Sequence, residues 1–301
     1  MMYNKQALII YNPFSGKRKK HNSFPILLNK LSEIGYHLTI YQLDELNQFN
    51  NPIKKACIQR WDSIFIAGGD GTVNQTIQFL AEEEYRPNVG IFPFGTSNEF
   101  AKFIGMPCNI FDTVSVIESG YVRPVDIGKF GNRYFTNIAA AGWLTDITYR
   151  TPPNLKSKIG ELAYCLYFFK KFLIKKQSDT ISINVSSNNV LTDLSLFLIM
   201  NGNSIGPLKR LIDEETCDNG YFHLITYKKT NRIRLLFQLL AKMLHLVDDL
   251  SIIQHTKIKS ADFMIPESIS LNLDGELANV NSPRFKVLPQ HLHVFSSRFK
   301  K

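Results

Sequence analysis

An α/β protein, with a parallel sheet in its first part and a mainly antiparallel second part, is the fold class this sequence predicts. Up to about residue 125, strand-length apolar runs alternate with stretches whose apolar residues recur at helical spacing, the order expected of a parallel sheet covered on both faces. Beyond Asp126 the texture changes to β-prone runs separated by turn residues. With 44% hydrophobic residues in a chain of 301, there is enough apolar surface for two cores.

In the first part, residues 7–11, 37–41, 63–67 and 89–93 have the continuous apolar character of strands buried on both faces. Between them, 24–34, 53–61 and 73–81 carry the helical period. The second part opens on Lys129-Phe130-Gly131-Asn132-Arg133-Tyr134-Phe135, where a Gly-Asn turn separates two β-prone runs and predicts a hairpin. Strands are expected over 180–185, 191–200, 221–227, 252–258, 269–273 and 291–295, and helices over 159–174 and 232–246.

Composition narrows the class of protein. No apolar run reaches the roughly 20 residues needed to cross a bilayer, and the N-terminus runs straight into a strand rather than a signal peptide, so the expectation is a cytoplasmic protein. Cys57, Cys108, Cys165 and Cys217 are scattered without a C-x-x-C pair, which argues against zinc, redox and disulfide frameworks. His291 and His293 share one strand face, but no third metal ligand accompanies them. A net charge of +9 suits an anionic partner without choosing among nucleotide, nucleic acid and acidic lipid.

Three loops follow strands of the first part, and open α/β sheets collect ligands at the carboxyl ends of their strands. Asn12-Pro13-Phe14-Ser15-Gly16-Lys17 follows the first strand, Ala67-Gly68-Gly69-Asp70-Gly71-Thr72-Val73-Asn74 the third, and Pro93-Phe94-Gly95-Thr96-Ser97-Asn98-Glu99 the fourth. Glycines let backbone N–H groups approach a phosphate, and a helix start adds positive partial charge. The P-loop and dinucleotide fingerprints are both absent, so a nucleotide is held here in another way. Each loop taken alone also fits an ordinary structural role: an Asn-Pro turn, or a helix cap at Ser97 or Asn98. Asp274-Gly275 likewise fits a plain turn, with Glu276 a surface acid.

Taken together, Asn12-Pro13-x-Ser15-Gly16, Gly68-Gly69-Asp70-Gly71-Thr72, Pro93-x-Gly95-Thr96-x-Asn98, Val125-Asp126 and Asp274-Gly275-Glu276 resemble the diacylglycerol kinase-like lipid kinases, relatives of the sphingosine and ceramide kinases. The resemblance covers most of the chain. NAD kinases share the Gly-Gly-Asp-Gly-Thr string, but the Asn-Pro and Gly-Thr-x-Asn loops point to the lipid branch. It implies an N-terminal Rossmann-like nucleotide-binding domain over residues 1–128 and a C-terminal, mainly antiparallel β-sandwich domain over 129–301, whose last residues are free to return to the first.

The resemblance also implies a division of labour. Glu276 is the base that accepts the proton of the lipid hydroxyl, and Asp70, Glu99 and Asp126 supply an acidic environment for ATP and Mg²⁺. Asn12, Pro13, Ser15, Gly16, Lys17, Gly68, Gly69, Asp70, Gly71, Thr72, Val73, Asn74, Gly95, Thr96 and Asn98 hold the nucleotide. A structural Mg²⁺ falls to Thr216, Asn219 and Tyr221. Glu99 and Asn219 stand where the family carries aspartate, Gln75 where glutamate is common, and Leu43 where a hydroxyl residue often lines the nucleotide pocket.

The predicted activity is ATP- and Mg²⁺-dependent phosphorylation of a lipid hydroxyl, with diacylglycerol the first-choice acceptor. A soluble-substrate kinase of the NAD kinase type and a non-catalytic nucleotide- or lipid-binding module are the alternatives. The two basic amphipathic stretches, 159–174 and 232–246, fit core packing or transient docking on an anionic membrane. Peripheral membrane association is therefore expected, no nucleic acid is, and self-association into a homodimer is left open.

Overall fold

The computed structural model describes residues 5–16, 22–44, 50–142, 179–186, 189–202, 218–229 and 253–297. Both predicted helices of the second part, together with Lys17 and Thr216, lie outside the described residues.

The first part alternates as its apolar pattern requires. Strand β1 (Lys5–Tyr11), helix α1 (Phe24–Glu33), β2 (Tyr36–Gln42), α2 (Asn50–Ile58), β3 (Ser63–Gly68), α3 (Asp70–Leu80), β4 (Asn88–Pro93), α4 (Glu99–Phe103) and α5 (Ile110–Glu118) follow in order. The sheet runs β4-β3-β1-β2 with every pair parallel. All six residues of β3 are buried, which explains its unbroken apolar sequence. The sequence reading does not assign α5, whose start is marked by Asn109 accepting a hydrogen bond from the Phe111 amide at 2.9 Å.

The second part is antiparallel. Strand β5 (Val122–Phe130) turns at Gly131-Asn132 into β6 (Arg133–Phe135), with Phe130 opposite Arg133, the hairpin that the turn residues predict. Then come β7 (Ile138–Gly142), β8 (Ile181–Ser186), β9 (Asn189–Met200), β10 (Phe222–Lys228), β11 (Ile253–Ile258), β12 (Ser260–Met264), β13 (Leu271–Leu273), β14 (Glu276–Ala278) and β15 (Arg284–Phe295). Strands β7, β12 and β14 are additions to the sequence reading, and β15 begins earlier than the residues 291–295 assigned to it. β7 is masked in sequence by Ala139-Ala140-Ala141, which have little strand propensity but leave room for tight packing between neighbours.

Strand β15 joins the two parts. Its Val294 pairs in parallel with Val89 of β4, while Phe285 to Leu288 and Leu292 to Phe295 pair antiparallel with β5 across a bulge. One buried cluster gathers Ile9, Phe65, Phe92 and Ile117 with Leu292 and Val294. A second gathers Phe130, Phe135, Phe197, Phe222, Phe263 and Phe285. The result is a mixed α/β fold built on one large sheet with few helices. Among the described residues no helix is long and apolar enough to cross a membrane.

Candidate active site

β4, β3 and β1 are adjacent parallel strands, so their carboxyl ends deliver three loops to one edge. Glycines then let the loops touch. A Cβ on Gly95 would sit 2.5 Å from the Gly69 Cα, and one on Gly16 would sit 2.0 Å from the Phe94 carbonyl oxygen, so neither position accepts a side chain. Gly16 also adopts φ +66°, which any other residue enters with strain.

Polar side chains tie the loops together. Asn12 Nδ2 donates to Thr72 Oγ1 at 2.8 Å, and Asn12 Oδ1 accepts from the Phe14 amide at 2.9 Å. Ser15 Oγ donates to the Asn12 carbonyl at 3.0 Å. Asp70 accepts the Asn98 amide on Oδ2 at 2.8 Å and the Glu99 amide on Oδ1 at 2.7 Å, so it caps α4 from a neighbouring loop. Asn98, at φ 50°, donates from Nδ2 to the Gly95 carbonyl at 2.8 Å and keeps a buried Oδ1 with no partner.

Many of the side chains that the resemblance gives to the nucleotide also make hydrogen bonds within the cradle. Thr72 is buried against Asn12, Val73 packs into the first core, and Asn74 Oδ1 accepts from Gln78 Nε2 at 2.8 Å. The first-turn N–H groups of α3 lie at its positive end, and the turn around Gly16 is exposed. Pro13 shapes that turn, Thr96 is exposed at the tip of the third loop, and Leu43 is a core residue.

The acidic residues that the resemblance places around ATP and Mg²⁺ have protein partners of their own. Asp126 is fully buried and faces the β15 bulge, where Oδ1 accepts the Gln290 amide at 2.7 Å while Oδ2 accepts the Gly220 amide at 2.6 Å. A carboxylate is needed there because the bulge leaves the Gln290 N–H without a strand partner. Burial pushes the Asp126 carboxyl above its ordinary range, with nearby Asp218 adding to this and the two amides pulling it back. Glu99 pairs instead with Lys102 at 3.2 Å. Asn219 Oδ1 accepts the Tyr221 amide at 3.0 Å, and the Tyr221 ring packs under Lys259 Nζ at 4.6 Å. Among the described residues no three His, Cys, Asp or Glu side chains gather as a metal site, and Thr216 lies outside those residues.

Glu276 does reach the cradle. A Cβ on Gly71 would stand 3.4 Å from Glu276 Oε1, which puts the carboxylate at the start of α3. It arrives there on a tight hairpin: Leu273 pairs with Glu276, and Asp274 (φ 49°) and Gly275 (φ 93°) fill the two turn positions that demand positive φ. The turn is anchored by Asp274, whose Oδ2 accepts from the Thr136 amide at 2.6 Å and hydroxyl at 3.0 Å, and whose Oδ1 accepts from the Asn137 and Ile138 amides at 2.9 and 2.8 Å. Burial, chiefly, and the Asp274 charge push the Glu276 carboxyl above its ordinary range, while Arg133 pulls it back. A carboxylate so placed suits a general base working near neutral pH.

A second contact docks the two parts of the chain. Gln78 of α3 accepts the Tyr134 amide at 2.9 Å and donates to the Tyr134 carbonyl at 2.7 Å, as a neighbouring strand would. Lys129 Nζ donates to the Tyr134 hydroxyl at 2.6 Å, and that hydroxyl donates to Glu82. His291, weighed as a metal ligand, uses Nε2 on the Ala81 carbonyl at 3.0 Å. Gln78 escaped the sequence reading, and Asp274 entered it only within a turn motif, because their partners lie on distant segments.

A glycine-lined phosphate cradle at the ends of parallel strands, faced by an acid from an antiparallel part, defines a phosphotransferase of the α/β class. The chain belongs to the diacylglycerol kinase family and is a lipid kinase, a transferase with an alcohol acceptor: residues 6–130 match the model of the diacylglycerol kinase catalytic domain. The diacylglycerol kinase of Staphylococcus saprophyticus is 34% identical over 97% of this chain and 95% of its own length. That of Staphylococcus epidermidis is 34% identical over 98% of this chain and 93% of its own length. In fold, the chain is similar to a putative diacylglycerol kinase from Bacillus anthracis, with TM-score 0.78 and 24% identity over 99% of this chain and 98% of that one.

Proposed function

We propose that this lipid kinase transfers the γ-phosphoryl group of ATP to the hydroxyl of diacylglycerol, giving phosphatidic acid. The observation that carries the reading is the Glu276 carboxylate at the start of α3, beside Gly71. The first-turn amides of α3 and the turn at Gly16 receive phosphate oxygens, Asp70 fixes the third loop against them, and Glu276 takes the proton of the attacking alcohol. Mg²⁺ enters with the nucleotide as the counter-ion of its phosphates, its usual manner of binding.

In the same reading, residues 1–128 form a Rossmann-like nucleotide-binding domain and 129–301 a β-sandwich domain that receives the lipid, in keeping with the two buried clusters. The basic stretches at 159–174 and 232–246 touch an anionic membrane transiently, each basic residue near the surface contributing about 1 kcal/mol. The test is incubation with γ-labelled ATP and dispersed diacylglycerol, with NAD as the competing acceptor. Label entering the organic phase only with diacylglycerol and Mg²⁺ supports the reading; label on NAD, or nucleotide binding with no transfer, overturns it.

A further inference from the structure

Gly71 and Gln78 are two helical turns apart on α3, so they share one side of the helix, separated by roughly 10 Å along its axis. Both meet the second part of the chain. Gly71 faces Glu276 Oε1, which a Cβ there would meet at 3.4 Å. Gln78 holds the Tyr134 main chain in β6, accepting its N–H at 2.9 Å and donating to its carbonyl at 2.7 Å. Gln78 Nε2 also donates to Asn74 Oδ1 at 2.8 Å, so the amide is oriented from its own helix. Beyond Tyr134, the amides of Thr136, Asn137 and Ile138 end on Asp274, and Glu276 follows Asp274 on the tight hairpin. A continuous run of hydrogen bonds and short main-chain links therefore leads from the middle of α3 back to the carboxylate at its start.

We propose that Gln78 is a positioning residue for phosphoryl transfer, setting the separation between the phosphate-binding end of α3 and the Glu276 carboxylate. The inference rests on Glu276 being the base. Transfer needs an alcohol held at Glu276 to lie in line with a phosphate held at the start of α3, and a misplacement of about 1 Å costs up to about 10²-fold in rate. The approach at Gly71 does not fix that separation, because glycine has no side chain with which to hold the hairpin. The contact two turns along does: it stops the second part of the chain from pivoting about the first. Pairing with main-chain atoms suits this task, since the Tyr134 N–H and carbonyl move only when the strand moves.

The test is a double-mutant cycle in the full chain, comparing wild type, Q78M, E276Q and Q78M/E276Q with γ-labelled ATP and dispersed diacylglycerol, below the Tm of the least stable variant. ATP affinity is read in parallel by calorimetry. Q78M is expected to lower kcat by about tenfold or more while ATP affinity stays close to wild type, because the nucleotide cradle is built from other residues. In the E276Q background the same substitution is expected to cost little further, since the group it positions is already gone. An unchanged kcat in Q78M overturns the proposal, including where its Tm falls, which marks a structural residue. A loss of equal size with and without Glu276 overturns it as well. If Q78M does not fold, Q78E, which keeps an acceptor for the Tyr134 N–H, is measured against the same criteria. Full activity in E276Q removes the base and the proposal with it, whereas a large loss there beside an unchanged Q78M removes Gln78 alone.

Discussion

Asp274 and Thr136, 138 residues apart in the sequence, are joined twice, amide and hydroxyl of the threonine both donating to Asp274 Oδ2. With the Asn137 and Ile138 amides on the other oxygen, this one carboxylate satisfies four donors and sets the position of the hairpin that carries Glu276. D274N replaces an acceptor oxygen by an NH₂ group aimed at donors. The expected cost is about 2–4 kcal/mol of stability, read by denaturant unfolding, together with a fall in kcat of about tenfold or more from the displaced base.

E276Q removes the proton acceptor and keeps the shape. Turnover is expected to fall by about 10² or more while ATP affinity, measured by calorimetry, stays close to wild type. Equal turnover in the two proteins removes Glu276 from the mechanism.

The same substitution has a stability signature with a definite sign. Burial raises the folded-state Glu276 pKa above its ordinary, unfolded value, so ionisation above that value works against the folded state. E276Q is therefore expected to raise Tm at pH 8. The gain shrinks as pH falls through the raised pKa and is gone below the unfolded value. A gain independent of pH contradicts this origin.

D70N leaves one oxygen to serve both the Asn98 and Glu99 amides. The third loop loosens, and ATP binding is expected to weaken by about tenfold, with about 1–2 kcal/mol of stability lost. Fluorescent-nucleotide titration checks this, and unchanged affinity contradicts the role of Asp70 in setting that loop.

G95A drives a methyl group into the Gly69 backbone at 2.5 Å and the Asn98 oxygen at 2.7 Å. Separation of the two loops is expected to cost about 1–3 kcal/mol and to abolish nucleotide binding. G120A is the control, at a positive φ with nothing within 4 Å of its Cβ, and it should leave nucleotide affinity unchanged.

The parallel part was legible because β1, β3 and β4 are buried on both faces and their sequences show it directly, and the glycine loops followed from their ends. The Gly131-Asn132 hairpin was legible from turn chemistry. The place of Asp126 was not legible, because the amide it accepts at the β15 bulge lies 164 residues away. The partners of Thr72 and Asn74 were hidden likewise: hydroxyl and amide groups that fit a phosphate also fit one another, and the fold brings them Asn12 and Gln78. Gln78 carried no signal, since its meaning lies in what Tyr134 brings to it.

Gln78 grips main-chain atoms of Tyr134, so these two hydrogen bonds depend on the side chain at position 78 and not on the one at 134, whose ring and hydroxyl serve the core and Glu82. A glutamate there could still accept but no longer donate, an asparagine falls a methylene short, and a methionine offers neither group. For that pair of bonds the constraint lies on the helix that starts at the phosphate loop.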